Sequence, residues 1–480
     1  MNKIFYFLIM CLFAVYSGQA QITWNNEMDV AASHFDNQHP RIALDRSGNS
    51  MVIWSKNEAL YFAKSNGIAF SAPLQLNPEW MTIAGASWMG PDIASHGDTV
   101  YIVVKRTPES EATHRIFVFT SYDAGLNFEN PVEIAIIGDS LSRFPTIEAD
   151  KQGHPIVGYM KFNSAFQESR WVVTRSNDFG KTFTTDVKAS GWGSSDAVCD
   201  CCPGAVVSYN DKTAMIYRDN NNNLRDIWTG WSEDNASTFK EGSAVDNNNW
   251  QLMSCPASGP DGVIVNDTLY STFMSGSGGK TRTYLSKTSL PTHELVSVKT
   301  LTGNLSGLNQ QNYPRLATDG KAIAIVWLQN RSGGDQLPIL FTDDINKGFP
   351  LAFDTVALAD IVNADVAIGN NKVFVVWEDP NSGTVKFRSG DYGNETSATY
   401  PEPLNVLNIY PNLVHSNLYY TINSSSVKNC VIKIIDINGK LIHDQKPTTE
   451  SIDVSNLKNG IYFVKIFLDN HLYIKKFIKI

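Results

Sequence analysis

The chain has 480 residues, with 39 Lys and Arg against 48 Asp and Glu, and its formal net charge of −9 argues against a broad nucleic-acid surface, which needs excess cations to displace phosphate counterions. Its 42% hydrophobic and 11% aromatic content can bury a large core. The apolar runs are short and punctuated by Gly, Asn and Asp, so β structure is predicted throughout and long helices are not.

The chain opens with Lys3, an apolar run over residues 4–16 and then Ser17-Gly18-Gln19-Ala20, the pattern of a signal peptide over residues 1–20, cut before Gln21. That run is shorter than the roughly 20 residues needed to span a bilayer, and no second one follows, so an exported mature chain without a membrane span is expected. Cys11 lies inside the run without the small-residue context of a lipoprotein cleavage site. Next comes ITWNNEMDVAA, residues 22–32, a strand-like stretch with no partner nearby in sequence.

From His39 onward a short motif recurs: HPRIALD at His39, GPDIASH at Gly90, FPTIEAD at Phe144, CPGAVVS at Cys202, CPASGPD at Cys255, YPRLATD at Tyr313 and NADVAIG at Asn363. The prolines fall at 40, 91, 145, 203, 256 and 314, with Ala364 in the seventh slot. Steps of about 50–58 residues match a four-stranded propeller blade. A second strand follows each start, as in SMVIWS, TVYIVVK, AIAIVWL and KVFVVWE. The seventh unit stops near Gly393 before a fourth strand, and residues 22–32 supply one, so a ring closed by both ends of the mature chain is predicted. Seven blades are preferred; the alternative is a six-bladed ring with one decorated insertion.

Three units carry nearly the same eight residues: SYDAGLNF at 121–128, SNDFGKTF at 176–183 and SEDNASTF at 232–239. In a tight turn Asp123, Asp178 and Asp234 can accept bonds from backbone N–H groups, Gly125 and Gly180 can take positive φ, and Phe128, Phe183 and Phe239 can anchor the next strand. Ala236 stands in the glycine slot of the third copy, so a distorted turn is expected there. A weaker copy at 342–349 has Asn346 in that slot, another at 389–393 lacks the aromatic, and the fifth unit, around Ser286, has none.

This repeated turn resembles the Asp-box, or BNR repeat, of sialidase-like β-propellers. The resemblance implies an all-β ring and an exported protein that binds, or hydrolyses, extracellular glycans. Catalytic residues do not carry over. Sialidases use an Arg-Ile-Pro entry, three arginines on the substrate carboxylate, a Tyr–Glu nucleophile and an Asp acid/base, whereas this chain reads His39-Pro40-Arg41-Ile42. The alternative from another class is a non-catalytic adhesion or scaffold propeller.

A polar linker at residues 394–404 leads to a block at 405–480 with period-2 alternation and an Asn438-Gly439 hairpin signal, predicted as a small β-sandwich. It carries nine Lys against five acidic residues. Through Tyr410-Pro411-Asn412, Asp436, Gly439-Lys440, Asp453-Val454-Ser455, Leu457, Gly460-Ile461-Tyr462 and Lys475-Lys476-Phe477 it resembles the type A C-terminal sorting domain of the Bacteroidetes type IX secretion system. Leu413 replaces that family's usual second proline. The resemblance implies engagement of the secretion machinery, passage through the outer membrane and removal of this domain, leaving the ring secreted or at the cell surface.

In a propeller the residues beside the repeated prolines surround the central mouth. Arg41 and Arg315 follow their prolines, Arg143 precedes one, and Asp92 and Asp365 share the Arg41 slot. Such a set suits a polar or anionic ligand, or else braces neighbouring blades. The fourth unit concentrates Cys199, Cys201 and Cys202 with Arg218-Asp219 and Arg225-Asp226 around four asparagines, again a ligand anchor or a loop brace. Export favours disulfides among Cys199, Cys201, Cys202 and Cys255, with Cys202–Cys255 suggested by their equivalent slots and Cys199–Cys201 or a bond to Cys430 as alternatives. A thiolate metal site is the minor reading, and no cofactor or metal is assigned.

Overall fold

The computed structural model describes residues 22–31, 36–108, 115–134, 141–193, 198–303, 305–393, 407–422, 431–436, 440–446, 451–468 and 471–480. The expected signal peptide, the linker, Cys430 and Asn438-Gly439 lie outside them. The chain divides into two compact units, residues 1–394 and 395–480.

Among the described residues the first unit is seven antiparallel sheets in chain order. Their innermost strands are Gln38–Leu44, Asp92–His96, Leu141–Ala149, Ala205–Tyr209, Asp261–Val265, Leu308–Thr318 and Ala364–Gly369. Each of these touches the next, and the seventh touches the first, so the seven blades form a closed ring. Closure uses the stretch after residue 21 as expected: in blade 7, Thr23 and Trp24 pair with Asp391 and Gly390, and Met28 and Asp29 with Phe387 and Lys386. The outer edge of that blade is thereby covered.

Second strands are apolar on both faces because each is sandwiched between neighbouring blades, which is why they read as continuous hydrophobic runs. Trp54, Trp327 and Trp377 end three of these runs and are fully buried. Truncating any of them to Ala would cost about 3–5 kcal/mol.

The three repeated turns are superimposable in their bonding. Ser121, Ser176 and Ser232 Oγ accept the amides of Gly125, Gly180 and Ala236 at 2.9, 2.8 and 3.0 Å and donate to the aspartates two residues on. Asp123, Asp178 and Asp234 accept the amides of Asn127, Thr182 and Thr238, each at 2.8 Å. The distortion expected at Ala236 is absent. Its φ of +60° matches the left-handed slot, and the intact serine and aspartate bonds offset the strain of a Cβ there. At residues 342–349 the expectation also fails: Ile345–Lys347 form a 3-10 turn and Gly348, not Asn346, takes positive φ.

One further correction concerns the fifth blade. Its first strand begins at Asp261, after Gly259-Pro260, so Pro260 rather than Pro256 marks the blade start. Gly259-Pro260-Asp261 repeats Gly90-Pro91-Asp92, and that is the signal the proline spacing missed.

The second unit is two sheets. One holds Leu407–Tyr410, Asn417–Ile422 and Ser451–Asp453; the other holds Leu413–Val414, His471–Lys479, Gly460–Leu468, Ile432–Asp436 and Leu441–Gln445. A core of Val414, Leu418, Tyr420, Ile432, Ile434, Ile452, Val454, Val464 and Phe477 lies between them, the expected small sandwich. Among the described residues no helix is long and apolar enough to cross a membrane.

Candidate functional site

The blade starts bring His39, Arg41, Trp88, Phe144, Tyr313 and Arg315 around a cavity of about 70 Å³ at the central mouth. Deeper in the channel a second space of about 330 Å³ is lined by Asp92, Glu148, Asp261 and Asp365. Asp92, Thr146 and Arg315 line both. Arg315 carries the positive charge of this junction. Its guanidinium lies 3.1 Å from Asp365, 3.4 Å from Asp261 and 4.0 Å from Asp92.

Those three aspartates also tie the ring together. Asp365 accepts the Ile42 amide at 3.0 Å, Asp92 that of Ile147 at 3.1 Å and Asp261 that of Leu316 at 2.9 Å, each bond crossing to the following blade. Three carboxylates around one cation raise the pKa of Arg315 despite its burial. Burial pushes Asp261 above the usual carboxylate range, and pushes Glu148 up to about 7.

Arg41 differs from Arg315. Among the described residues its one hydrogen-bond partner is its own Pro40 carbonyl, at 2.8 Å. Burial, followed by repulsion from Arg315, lowers its pKa to about 10, so it remains a cation near neutral pH. An arginine with spare donors in a mouth walled by Trp88, Phe144 and Tyr313 can hold a small anion. His39 beside it is turned to the Ala86 carbonyl and is held well below its usual pKa, chiefly by burial.

The remaining candidates lie at the cysteine segment rather than on the mouth's lining. Arg218 is buried and spends its donors on three backbone carbonyls, of Ser258, Arg225 and Met274. Asp226 accepts the Asn249 and Trp250 amides at 3.2 and 3.0 Å. Arg225 donates to the Leu252 carbonyl and, at 3.0 Å, to Cys199 Sγ. These contacts brace the asparagine loop, so Arg218 and Arg225 do not join Arg41 and Arg315 at the mouth. Asp219 is buried, and that burial, only partly offset by the Asn220 backbone amide, pushes it up to about 6. Arg143 lies over the Phe162 and Phe166 rings and donates to the Asp200 carbonyl.

The cysteine pairing differs from the Cys202–Cys255 expectation: the disulfide joins Cys201 to Cys255. With Pro260 at the blade start, Cys255 is in the preceding loop and not in the slot of Cys202, so equivalence no longer pairs them. Cys199 and Cys202 are free and buried, with sulfurs 3.3 Å apart and sharing a hydrogen bond. That bond, then the charges of Arg225 and Arg218, lowers the Cys199 pKa, whereas burial raises that of Cys202.

Against known proteins, the model of the secretion system C-terminal sorting domain matches residues 408–480. The chain therefore carries the signal for export to the cell surface or the medium, and the type IX machinery is its partner in that step. No curated protein matches it. Similar solved structures include an α-L-arabinofuranosidase of Fusarium graminearum with arabinobiose, at 13% identity and a TM-score of 0.46, covering 68% of this chain and 99% of that one. An ulvan lyase of polysaccharide lyase family 25 has 12% identity and a TM-score of 0.47, covering 76% and 95%. The PorZ component of the Porphyromonas gingivalis type IX system has 12% identity and a TM-score of 0.42, covering 94% and 61%. At such values no activity follows from the likeness.

Proposed function

We propose that the exported ring is a sialidase-like, Asp-box propeller that binds extracellular glycans end-on, its mouth taking a carboxylate or similar small anionic substituent on Arg41. On this reading residues 21–393 form the ring, released after the signal peptide at 1–20 and, once outside, from the sorting domain at 405–480 by cleavage near the 394–404 linker. The carrying observation is the Arg41 guanidinium, bonded to Pro40 alone among the described residues and facing the mouth.

Cavity size favours binding over hydrolysis. Sites that enclose a whole small ligand run to roughly 300–1,000 Å³, whereas about 70 Å³ accommodates a protruding group and not a sugar ring with two catalytic groups beside it. The nearby aspartates are engaged with Arg315 and with backbone amides, which leaves them poor nucleophiles. The test is titration calorimetry with uronate- or sialate-terminated oligosaccharides, their neutral counterparts, and Arg41→Gln. Binding of the acidic series, weakened at least tenfold by Arg41→Gln, supports the reading. Release of sugar from a glycoside panel would make it an enzyme, and absence of both binding and release would leave the scaffold alternative.

A further inference from the structure

Four cysteines beside the starts of the fourth and fifth blades form a chain of close sulfur contacts running Cys255, Cys201, Cys199, Cys202. The exposed Cys255 is bonded to the partly buried Cys201. Behind that bond Cys199 Sγ is 3.6 Å from Cys201 Sγ and 3.3 Å from Cys202 Sγ, and all three of the latter sulfurs fit within 4.8 Å. Arg225 Nη1 sits 3.0 Å from Cys199 Sγ, and Arg218 lies nearby. A guanidinium against a thiol stabilises its thiolate, the form that attacks a disulfide. It also places positive charge where a metal ion would have to bind, and Cys201 is already bridged, so the arrangement suits exchange better than a thiolate metal site.

We infer that these residues form an internal thiol–disulfide relay in which the surface bridge Cys201–Cys255 isomerises to a buried bridge Cys199–Cys202. In the first step Cys199 gives up its proton to solvent, its thiolate bonds to Cys201 Sγ as the Cys201–Cys255 bond breaks, and the electron pair leaves on Cys255, which takes a proton from solvent. In the second step Cys202 bonds to Cys199 Sγ, Cys201 leaves with the electron pair, and the Cys202 proton passes to it. One disulfide and two thiols become one disulfide and two thiols, so no outside oxidant is consumed.

The relay also bears on the mouth. Pro203, Gly204, Ala257, Gly259 and Pro260 line its cavity, immediately beyond Cys202 and Cys255. The two segments are tightly apposed, since a Cβ on Gly259 would lie 2.1 Å from the Pro203 carbonyl oxygen. Opening the Cys201–Cys255 bond removes the covalent tie between these two walls, whatever the mouth binds.

The test is maleimide labelling of the native full-length protein, with bridges and labels mapped by mass spectrometry under non-reducing conditions. The relay predicts slow labelling of Cys255 and Cys201 while Cys199 and Cys202 become bridged. Arg225→Gln should slow Cys255 labelling at least tenfold, and Cys199→Ser should abolish it. If Cys199→Ser does not fold, Cys202→Ser serves instead, stopping the second step and trapping a Cys199–Cys201 bridge. Cys255 that stays unlabelled until the protein is denatured overturns the relay. So does stoichiometric zinc or copper whose removal by a chelator is needed before any of the four cysteines reacts.

Discussion

Replacing Arg315 with Met leaves Asp92, Asp261 and Asp365 facing one another without their shared cation. None can simply turn away, because each also accepts a backbone amide of the next blade at 2.9–3.1 Å. Removing one partner of a buried ion pair costs about 3–5 kcal/mol. At about 2 °C per kcal/mol for a large domain, the melting temperature should fall by roughly 6–10 °C at pH 7.5. The sign of the pH dependence follows from the same carboxylates. Asp261 is already raised by burial with Arg315 present, and loss of the cation removes the charge that lowers it, so the variant recovers relative to wild type as pH falls from 7.5 toward the ordinary value of 3.8. Scanning calorimetry or fluorescence melts at pH 7.5, 6 and 5 read this directly. A variant melting within about 1 °C of wild type at pH 7.5, or a gap that widens on acidification, would refute the view that Arg315 clamps the ring from its axis.

Glu148, with a pKa near 7 against an ordinary 4.5, is destabilising when ionised, so wild type should lose stability as pH rises through that window. Glu148→Gln should melt with wild type at pH 5 and above it at pH 8.5. Gly125→Ala combines a left-handed φ of +82° with a Cβ 2.3 Å from the Phe62 ring, and should cost about 2–3 kcal/mol in urea denaturation. Deleting residues 408–480 should leave the protein inside the outer membrane, as cell fractionation would show.

The ring was legible because its signals are local and repeated. Prolines at blade starts, doubly buried second strands and the serine–aspartate turns each follow from backbone chemistry within a dozen residues, and an unpaired strand at one end answered a missing strand at the other. The fifth blade shows where such reading slips: Pro256 and Pro260 are four residues apart, and spacing alone chose the one that does not abut the strand starting at Asp261. Asp261 was missed with it, although Gly259-Pro260-Asp261 copies Gly90-Pro91-Asp92.

By itself the sequence determined the β-propeller, its closure by the strand-like stretch after residue 21, and the C-terminal sandwich that directs export, since periodicity and turn chemistry act along the chain. Only the tertiary structure decided that Arg315 is held by three aspartates from blades 2, 5 and 7 while Arg41 keeps donors for the mouth, and that Cys201 rather than Cys202 bonds Cys255. Those outcomes depend on which side chains from distant blades meet at the axis. Charge pairing and sulfur geometry there are set by distances of a few ångströms that residue spacing does not encode.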